Sequence, residues 1–521
     1  MARPGLSETQ LGGGTYIALA AMAMGVFIVA NDITALSVAL PSIEKRFDAD
    51  VSTVQWVINA YALVFGVLIV TGGRLADVAG RRRVFFLGAA IFGVFSVLGG
   101  VAQNVAWLIA CRALMGAGGA LMWPAVLGMT YGLLPESRQG LAGGLIIGAA
   151  GFGNAAGPLL GGVLTDALSW RWILFVNAPI ALGACLVTAR AVRESRGEPQ
   201  ERRFDYAGTV ALSLGLVALL IALDQVTDWG WDDARVAGLF AAFLVLLAAF
   251  AVRERRAGPA ALVPPDVMRN GDFVAACLAT LLMSASFFAA LLYLPQFLQK
   301  ILGWSPLGAG AGLLPLMAVF AAVSFGAGPL YERLGPKVVV SAGALGICVG
   351  TFLVSLAGAH SGFGPLIPGM VVLGVGVGLF YSAVTTAAVS AVDPARASLA
   401  SGIVYMFQIA GGSIGLGLTT TLFTTAATDS VQGSPIAGAL PAGQVGDVQG
   451  ILAGTRSART VLGHLSSTGG ERVFDVVRDA FASGMHWGFR FVAALALTGL
   501  LVSVLRVGGR RSPAVAGGER R

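Results

Sequence analysis

The chain has 521 residues, 56% of them hydrophobic and only 12% charged, with a mean hydropathy of +0.80 and a net charge of +7. Soluble domains carry roughly 25% charged residues, so a chain this apolar cannot close one water-soluble core and lipid must be its solvent. Cys111, Cys185, Cys277 and Cys348 stand singly in apolar segments, no C-x-x-C occurs, and His360, His464 and His486 are scattered, which argues against structural zinc, disulfides and haem attachment.

In chain order, a short leader (1–14) precedes an apolar run long enough to span and without an A-x-A exit, so no cleavable signal is expected. Spanning helices are expected at roughly 15–36, 52–72, 84–102, 106–128, 142–164, 172–191, 207–225, 236–252, 273–296, 308–331, 338–358, 365–391, 398–424 and 485–506. At this length in lipid only a helix satisfies its own backbone. Residues 426–484 read as an external loop rich in Gly, Ala, Ser and Thr, and 507–521 as a tail. With the N-terminus inside, most of the 34 basic residues fall on cytoplasmic segments, among them Arg81, Arg82, Arg83 and the C-terminal arginines. The positive-inside rule then puts both termini in the cytoplasm and makes the basic surplus a topology signal rather than a nucleic-acid site. Arginine far outnumbers lysine, the usage of a high-GC bacterial genome.

The chain also repeats itself. GRLADVAGRR at 73–82 resembles GPLYERLGPK at 328–337, and LMGAGGALMWPAV at 114–126 resembles VLGVGVGLFYSAV at 372–384. Pro41 pairs with Pro295, and AG-x-x-x-G at 156–161 with 410–415, all at nearly one offset. The expected organisation is a six-helix bundle over 15–193, a linker over 194–270 with two inserted helices, and a second bundle over 271–506. Repeated halves about a midplane site are the architecture of alternating-access transporters.

Transport needs an energy source. A P-loop needs a lysine after glycine, and Lys45, Lys300 and Lys337 follow none, so ATP-driven pumping by this chain is excluded. An ion gradient needs a titratable group inside the membrane, where such groups are expensive and functional by default. Asp32 and Arg112 are the two candidates, as a proton-coupling pair or else as a static ion pair. Their repeat counterparts are Ser286 and Met370, so the charge belongs to the first half only. No resident cofactor or metal is expected; a proton gradient would supply the energy.

The loop GGRLADVAGRRR offers a conformational latch in Gly73, Asp77, Gly80, Arg81 and Arg82, with Asp77 able to cap a neighbouring helix end or pair with the arginines. GNAAGPLLGG on the fifth helix puts Gly153, Gly157 and Gly161 on one face, with Pro158 as a kink and Gly162 beside it. Trp56, Tyr61, Met115, Trp123, Phe287, Phe288, Tyr293, Tyr381 and Tyr405, with Gln296 and Gln408, are candidates to line a cavity for a small amphipathic substrate, or alternatively ordinary packing residues.

These segments together resemble the major facilitator superfamily, and within it the fourteen-span drug:proton antiporters of the QacA/EmrB type. The 73–83 loop is similar to its G-x-L-a-D-r-x-G-r-[RK] motif, with Val78 replacing a basic residue. Arg112 and Gly116 are similar to its R-x-x-x-G motif, GNAAGPLLGG to its antiporter motif, and NDITALSVALP to its first-helix motif. WRWILFVNAPI at 170–180 and LQKILGWSPLGAGAGLLP at 298–315 add to the likeness. The resemblance implies a proton antiporter of the bacterial cytoplasmic membrane, exporting drugs, antibiotics or dyes, with Asp32 and Arg112 as its coupling pair; a monomer is the default expectation. The helix-5 motif speaks against import. Export of an endogenous lipid, siderophore or secondary metabolite is the alternative.

Overall fold

A computed structural model describes residues 13–49, 51–195, 205–230, 232–257, 261–358, 360–432 and 470–507. Among the described residues, fourteen helices are long and apolar enough to cross a membrane. We number them α1 (Gly13–Phe47), α2 (Val51–Ala79), α3 (Arg81–Gly100), α4 (Val105–Leu133), α5 (Gln139–Ala167), α6 (Arg171–Ala191), α7 (Tyr206–Trp229) and α8 (Ala234–Ala257). The remainder are α9 (Gly271–Lys300), α10 (Leu314–Leu334), α11 (Pro336–Ser355), α12 (Leu366–Ser390), α13 (Ala397–Gln432) and α14 (Gly470–Arg506).

The expected spans recur, but several boundaries move. Proline is tolerated inside a membrane helix because neighbouring groups re-satisfy the freed carbonyl, so α1 runs on through Pro41 to Phe47 and Asp32 sits mid-helix rather than near an end. The expected span 308–331 divides at Leu313 into a short helix, Pro306–Gly312, and α10. The expected external loop 426–484 is narrower: α13 continues to Gln432 and α14 already begins at Gly470, while 433–469 lies outside the described residues. Residues 1–12 and 508–521, in the expected leader and tail, also lie outside them.

Helices α1–α6 form one bundle and α9–α14 the other. Small residues set their spacing. A Cβ on Gly116 would come within 2.4 Å of the Tyr61 carbonyl of α2, and one on Gly343 within 2.4 Å of the Phe380 amide of α12. Without a hydrophobic drive between helices in lipid, such close approach is what recruits dispersion. The two sharp interhelical turns of the repeat use the same device: Gly80 between α2 and α3 has φ 117°, and Gly335 between α10 and α11 has φ 83°, backbone that a Cβ disfavours.

The bundles meet along two related seams, α2 against α13 and α5 against α10. The inserted helix α7 packs over the first seam, touching both α2 and α13, and α8 rests on α7 with most of its length exposed. At one end the insertion is pinned by charge. Arg253 donates to the Asp205 carboxylate at 3.2 Å, and Glu254 accepts from the Leu262 and Val263 amides at 2.9 Å each.

Candidate coupling site and interbundle latch

Asp32 on α1 and Arg112 on α4 meet inside the first bundle, both fully buried, with Arg112 Nη1 donating to Asp32 Oδ2. Burying two charges costs several kcal/mol per ion unless geometry and further hydrogen bonds compensate. The compensation is visible. Asp32 Oδ1 accepts from Asn177 Nδ2 of α6 at 2.8 Å, and Arg112 Nε donates to the Val57 carbonyl of α2 at 2.9 Å. The Arg112 guanidinium also lies 4.5 Å from the Tyr61 ring centroid, a cation–π contact, with Met115 Sδ 3.7 Å from Nη1. Helices α1 and α4 thus carry the pair, and α2 (Val57, Tyr61), α4 (Met115) and α6 (Asn177) supply its partners.

The α5 glycine face holds α1 at this point. A Cβ on Gly153 would fall 2.7 Å from the Phe27 carbonyl and 3.1 Å from the Asn31 amide. One on Gly157 would fall 2.0 Å from Thr34 Oγ1, and one on Gly161 2.2 Å from the Ala35 carbonyl. The motif therefore grips the α1 backbone on both sides of Asp32. Gly162 and Pro158 turn instead toward the short helix Pro306–Gly312, at Leu307 and Gly310.

At the arginine-rich end, the α2–α3 turn joins the bundles. Asp77 Oδ1 accepts from Arg81 Nε at 2.9 Å, and its Oδ2 accepts from the Leu399 amide in the first turn of α13 at 2.8 Å. A carboxylate there satisfies an orphan N–H and complements the helix dipole. Arg81 then reaches the Gly128 carbonyl at 3.0 Å and the Pro394 and Ala395 carbonyls at 2.8 and 3.1 Å. Gly73 allows the approach, since a Cβ there would meet the Ser398 carbonyl at 2.6 Å. Arg82 takes no part in the Asp77 pair; it donates to the Val192 and Ala189 carbonyls at the end of α6, each at 3.0 Å. The repeat supplies a second, weaker latch. Glu332 at the end of α10 accepts from the Leu141 amide in the first turn of α5 at 3.3 Å.

Residues 22–416 match the Major Facilitator Superfamily. The chain belongs to that superfamily. The tetracenomycin C resistance and export protein of Streptomyces glaucescens is 31% identical to it over 95% of this chain and 92% of its own length. The puromycin resistance protein pur8 of Streptomyces alboniger is 35% identical over 79% of this chain and 82% of its own. The cephamycin export protein CmcT of Amycolatopsis lactamdurans is 35% identical over 80% and 87%. Among solved structures, the human organic anion transporter MFSD10 shares the fold with a TM-score of 0.61 at 12% identity, over 94% of this chain and 99% of that one.

Within the superfamily fold, the expected cavity aromatics fall into separate groups. Trp123 of α4 lies 4.5 Å from Tyr405 of α13 between ring centroids, and Phe65 of α2 lies 5.5 Å from Tyr405, so this cluster bridges the bundles. Phe287 and Tyr381 meet at 5.9 Å in the second bundle, with Phe320 at 5.8 Å from Phe287 and Phe288 beside them at 6.1 Å. Tyr293 stacks on Phe423 at 4.8 Å and its hydroxyl pairs with Thr420 at 2.7 Å, inside the second bundle between α9 and α13. Tyr61 and Met115 attend Arg112. Trp56, Gln296 and Gln408 are half-buried on α2, α9 and α13.

Sequence reading missed Asn177, Ser96, Phe65 and Phe320. Asn177 lies within the 170–180 motif, the one signal that could have marked it. The neutral counterparts of the ion pair are also in place: Ser286 donates to the Val492 carbonyl of α14 at 3.2 Å, and Met370 is fully buried. Among the described residues no His, Cys, Asp and Glu cluster suits a metal ion.

Proposed function

We propose that the protein is a proton-coupled antiporter that exports lipophilic drugs, antibiotics or dyes across the bacterial cytoplasmic membrane by alternating access. The observation that carries the reading is the Asp32–Arg112 pair, buried in one bundle and replaced by Ser286 and Met370 in the other. A proton reaching Asp32 cancels its attraction for Arg112. The guanidinium keeps its charge and stays held by the Val57 carbonyl and the Tyr61 ring, so the carboxyl on α1 is the member freed to move. Because the α5 glycines clasp α1 on either side of Asp32, that movement is passed to α5 and hence to the α5–α10 seam. On this reading both termini and the latch are cytoplasmic, and the conformation is closed on that side. The monomer is complete for the task, since the coupling pair, both latches and the seams belong to one chain.

The test is transport by the full chain in proteoliposomes with an imposed pH gradient and a panel of lipophilic monocations, neutral drugs and lipids. Uphill transport at the wild-type rate by Asp32→Asn would remove the coupling assignment. A second reading, export of a secondary metabolite made by the cell itself, draws support from relatives named for tetracenomycin C and cephamycin export. The same panel, extended to aromatic polyketides and β-lactams, separates the two.

A further inference from the structure

Asn177 touches Asp32 directly and has no role in the scheme above. Its Nδ2 carries two hydrogens, and each has an acceptor: Asp32 Oδ1 at 2.8 Å and Ser96 Oγ of α3 at 3.2 Å. The Ser96 hydroxyl spends its own hydrogen on the Leu174 carbonyl of α6 at 2.7 Å, which leaves it only lone pairs to offer Asn177. That fixes the amide. Turned over, its carbonyl oxygen would face both a carboxylate and a hydroxyl lone pair, with no donor available from either. Asn177 and Ser96 are both buried, so water does not compete for these groups.

We propose that Asn177 is a positioning residue of the coupling site, keyed by Ser96 so that Asp32 Oδ1 always meets a donor when the carboxyl is ionised. A proton arriving on Asp32 cancels the charge that strengthens this bond, so the neutral carboxyl accepts from the amide NH2 more weakly than the carboxylate does. Proton loading therefore loosens the hold of Asn177 on Asp32, and proton release tightens it again, tying α6 to α1 through each cycle. The charged and titratable groups facing Asp32 are Arg112 of α4 and Tyr61 of α2. Helix α5 presents glycines, α6 presents Asn177 with Ser96 of α3 behind it, and the short helix Pro306–Gly312 has no titratable side chain. No other ionising group in these contacts would mask the effect.

The inference rests on Asp32 being the proton carrier, and its test keeps the two apart. Infrared difference spectroscopy of the purified full chain, titrated with pH and without any substrate, follows the protonated-carboxyl band that Asp32→Asn removes. In Asn177→Leu, which keeps the volume but lacks the donor, the midpoint of that band is expected about one pH unit higher than in wild type, the size of one lost hydrogen bond to a charged acceptor. Ser96→Ala, which removes one of the two acceptors that hold the amide, should move it the same way by less, and Asn177→Thr, which restores a hydroxyl donor, should move it part of the way back. Coincident midpoints in wild type and Asn177→Leu overturn the inference and leave the antiport reading standing. If Asn177→Leu does not fold, an unmoved midpoint in Ser96→Ala overturns it instead. A spectrum in which Asp32→Asn removes no band overturns the proton-carrier assignment, and this inference with it.

Discussion

Asp77 and Leu399 belong to different bundles and lie 322 positions apart in sequence, yet the carboxylate of one accepts the backbone N–H of the other at 2.8 Å. A single side chain thereby caps a helix of the second bundle from the first. Asp77→Ala leaves that amide and part of Arg81 without an acceptor, a loss of about 1–3 kcal/mol from the joined conformation. Spin labels at Ser137 and Leu334, on opposing bundles at this end, should report a larger separated population, by about tenfold or more. Asp77→Asn keeps an acceptor and should shift the population less; equal distance distributions in all three proteins would disprove the latch.

Removing Arg112 strands a carboxylate in the bundle interior. Arg112→Ala is expected to cost about 3–5 kcal/mol, the penalty for breaking a buried pair by one partner. Most of it should return in Arg112→Ala combined with Asp32→Asn, where no charge is left behind. Thermal unfolding in detergent measures this; a double variant no more stable than the single one would mean that packing, not charge, sets the cost.

Tyr61 offers a sharper separation of ring from hydroxyl. Its ring faces Arg112 at 4.5 Å, whereas its buried hydroxyl has no hydrogen-bond partner among the described residues. Tyr61→Phe should therefore leave stability and transport within about 0.5 kcal/mol of wild type, or raise stability slightly, because an unpaired buried polar group is removed. Tyr61→Leu loses the cation–π contact and should cost about 1–2 kcal/mol. A large loss in Tyr61→Phe would show that the hydroxyl acts in another conformation.

Two glycines make a paired test of the α5 face. A Cβ at Gly161 would press on the Ala35 carbonyl at 2.2 Å, backbone that cannot swing aside, while one at Gly326 on α10 meets nothing within 4 Å. Gly161→Ala should destabilise by about 1–3 kcal/mol and slow transport. Gly326→Ala should be neutral or stabilising by up to about 1 kcal/mol, the ordinary helix preference for alanine. Equal effects in melting temperature would deny that the motif works through close approach to α1.

The parts of this molecule legible in sequence are those where chemistry is out of place in lipid. Fourteen apolar runs forced fourteen helices, and a carboxylate and a guanidinium in such runs could only be partners or errors, which is why Asp32 and Arg112 were readable from 80 positions apart. Asn177 and Ser96 were not, because a neutral amide or hydroxyl in an apolar helix is ordinary until α6 is known to lie between α1 and α3. The aromatics are hard to sort for a related reason. A ring is equally at home against lipid, a neighbour or a ligand, so sequence leaves open what the structure shows: Tyr61 faces the Arg112 guanidinium and Tyr293 stacks on Phe423. Sequence leaves both Arg81 and Arg82 able to pair with Asp77, but successive helical side chains diverge by about 100°, and Arg82 closes α6 instead.

The seating of α7 makes the two halves of the pseudo-twofold unequal toward lipid. Leu220 of α7 reaches the Gly66 position of α2, and Leu223 reaches Gly417 of α13, so this seam is roofed by protein. Among the described residues the α5–α10 seam carries no such roof, and Phe152 and Phe325 project from it into the surroundings. When the bundles rock, acyl chains must reseal along one flank only. On the other, a helix rides the joint like a gasket, and an oily molecule approaching sideways from the bilayer finds a single open flank.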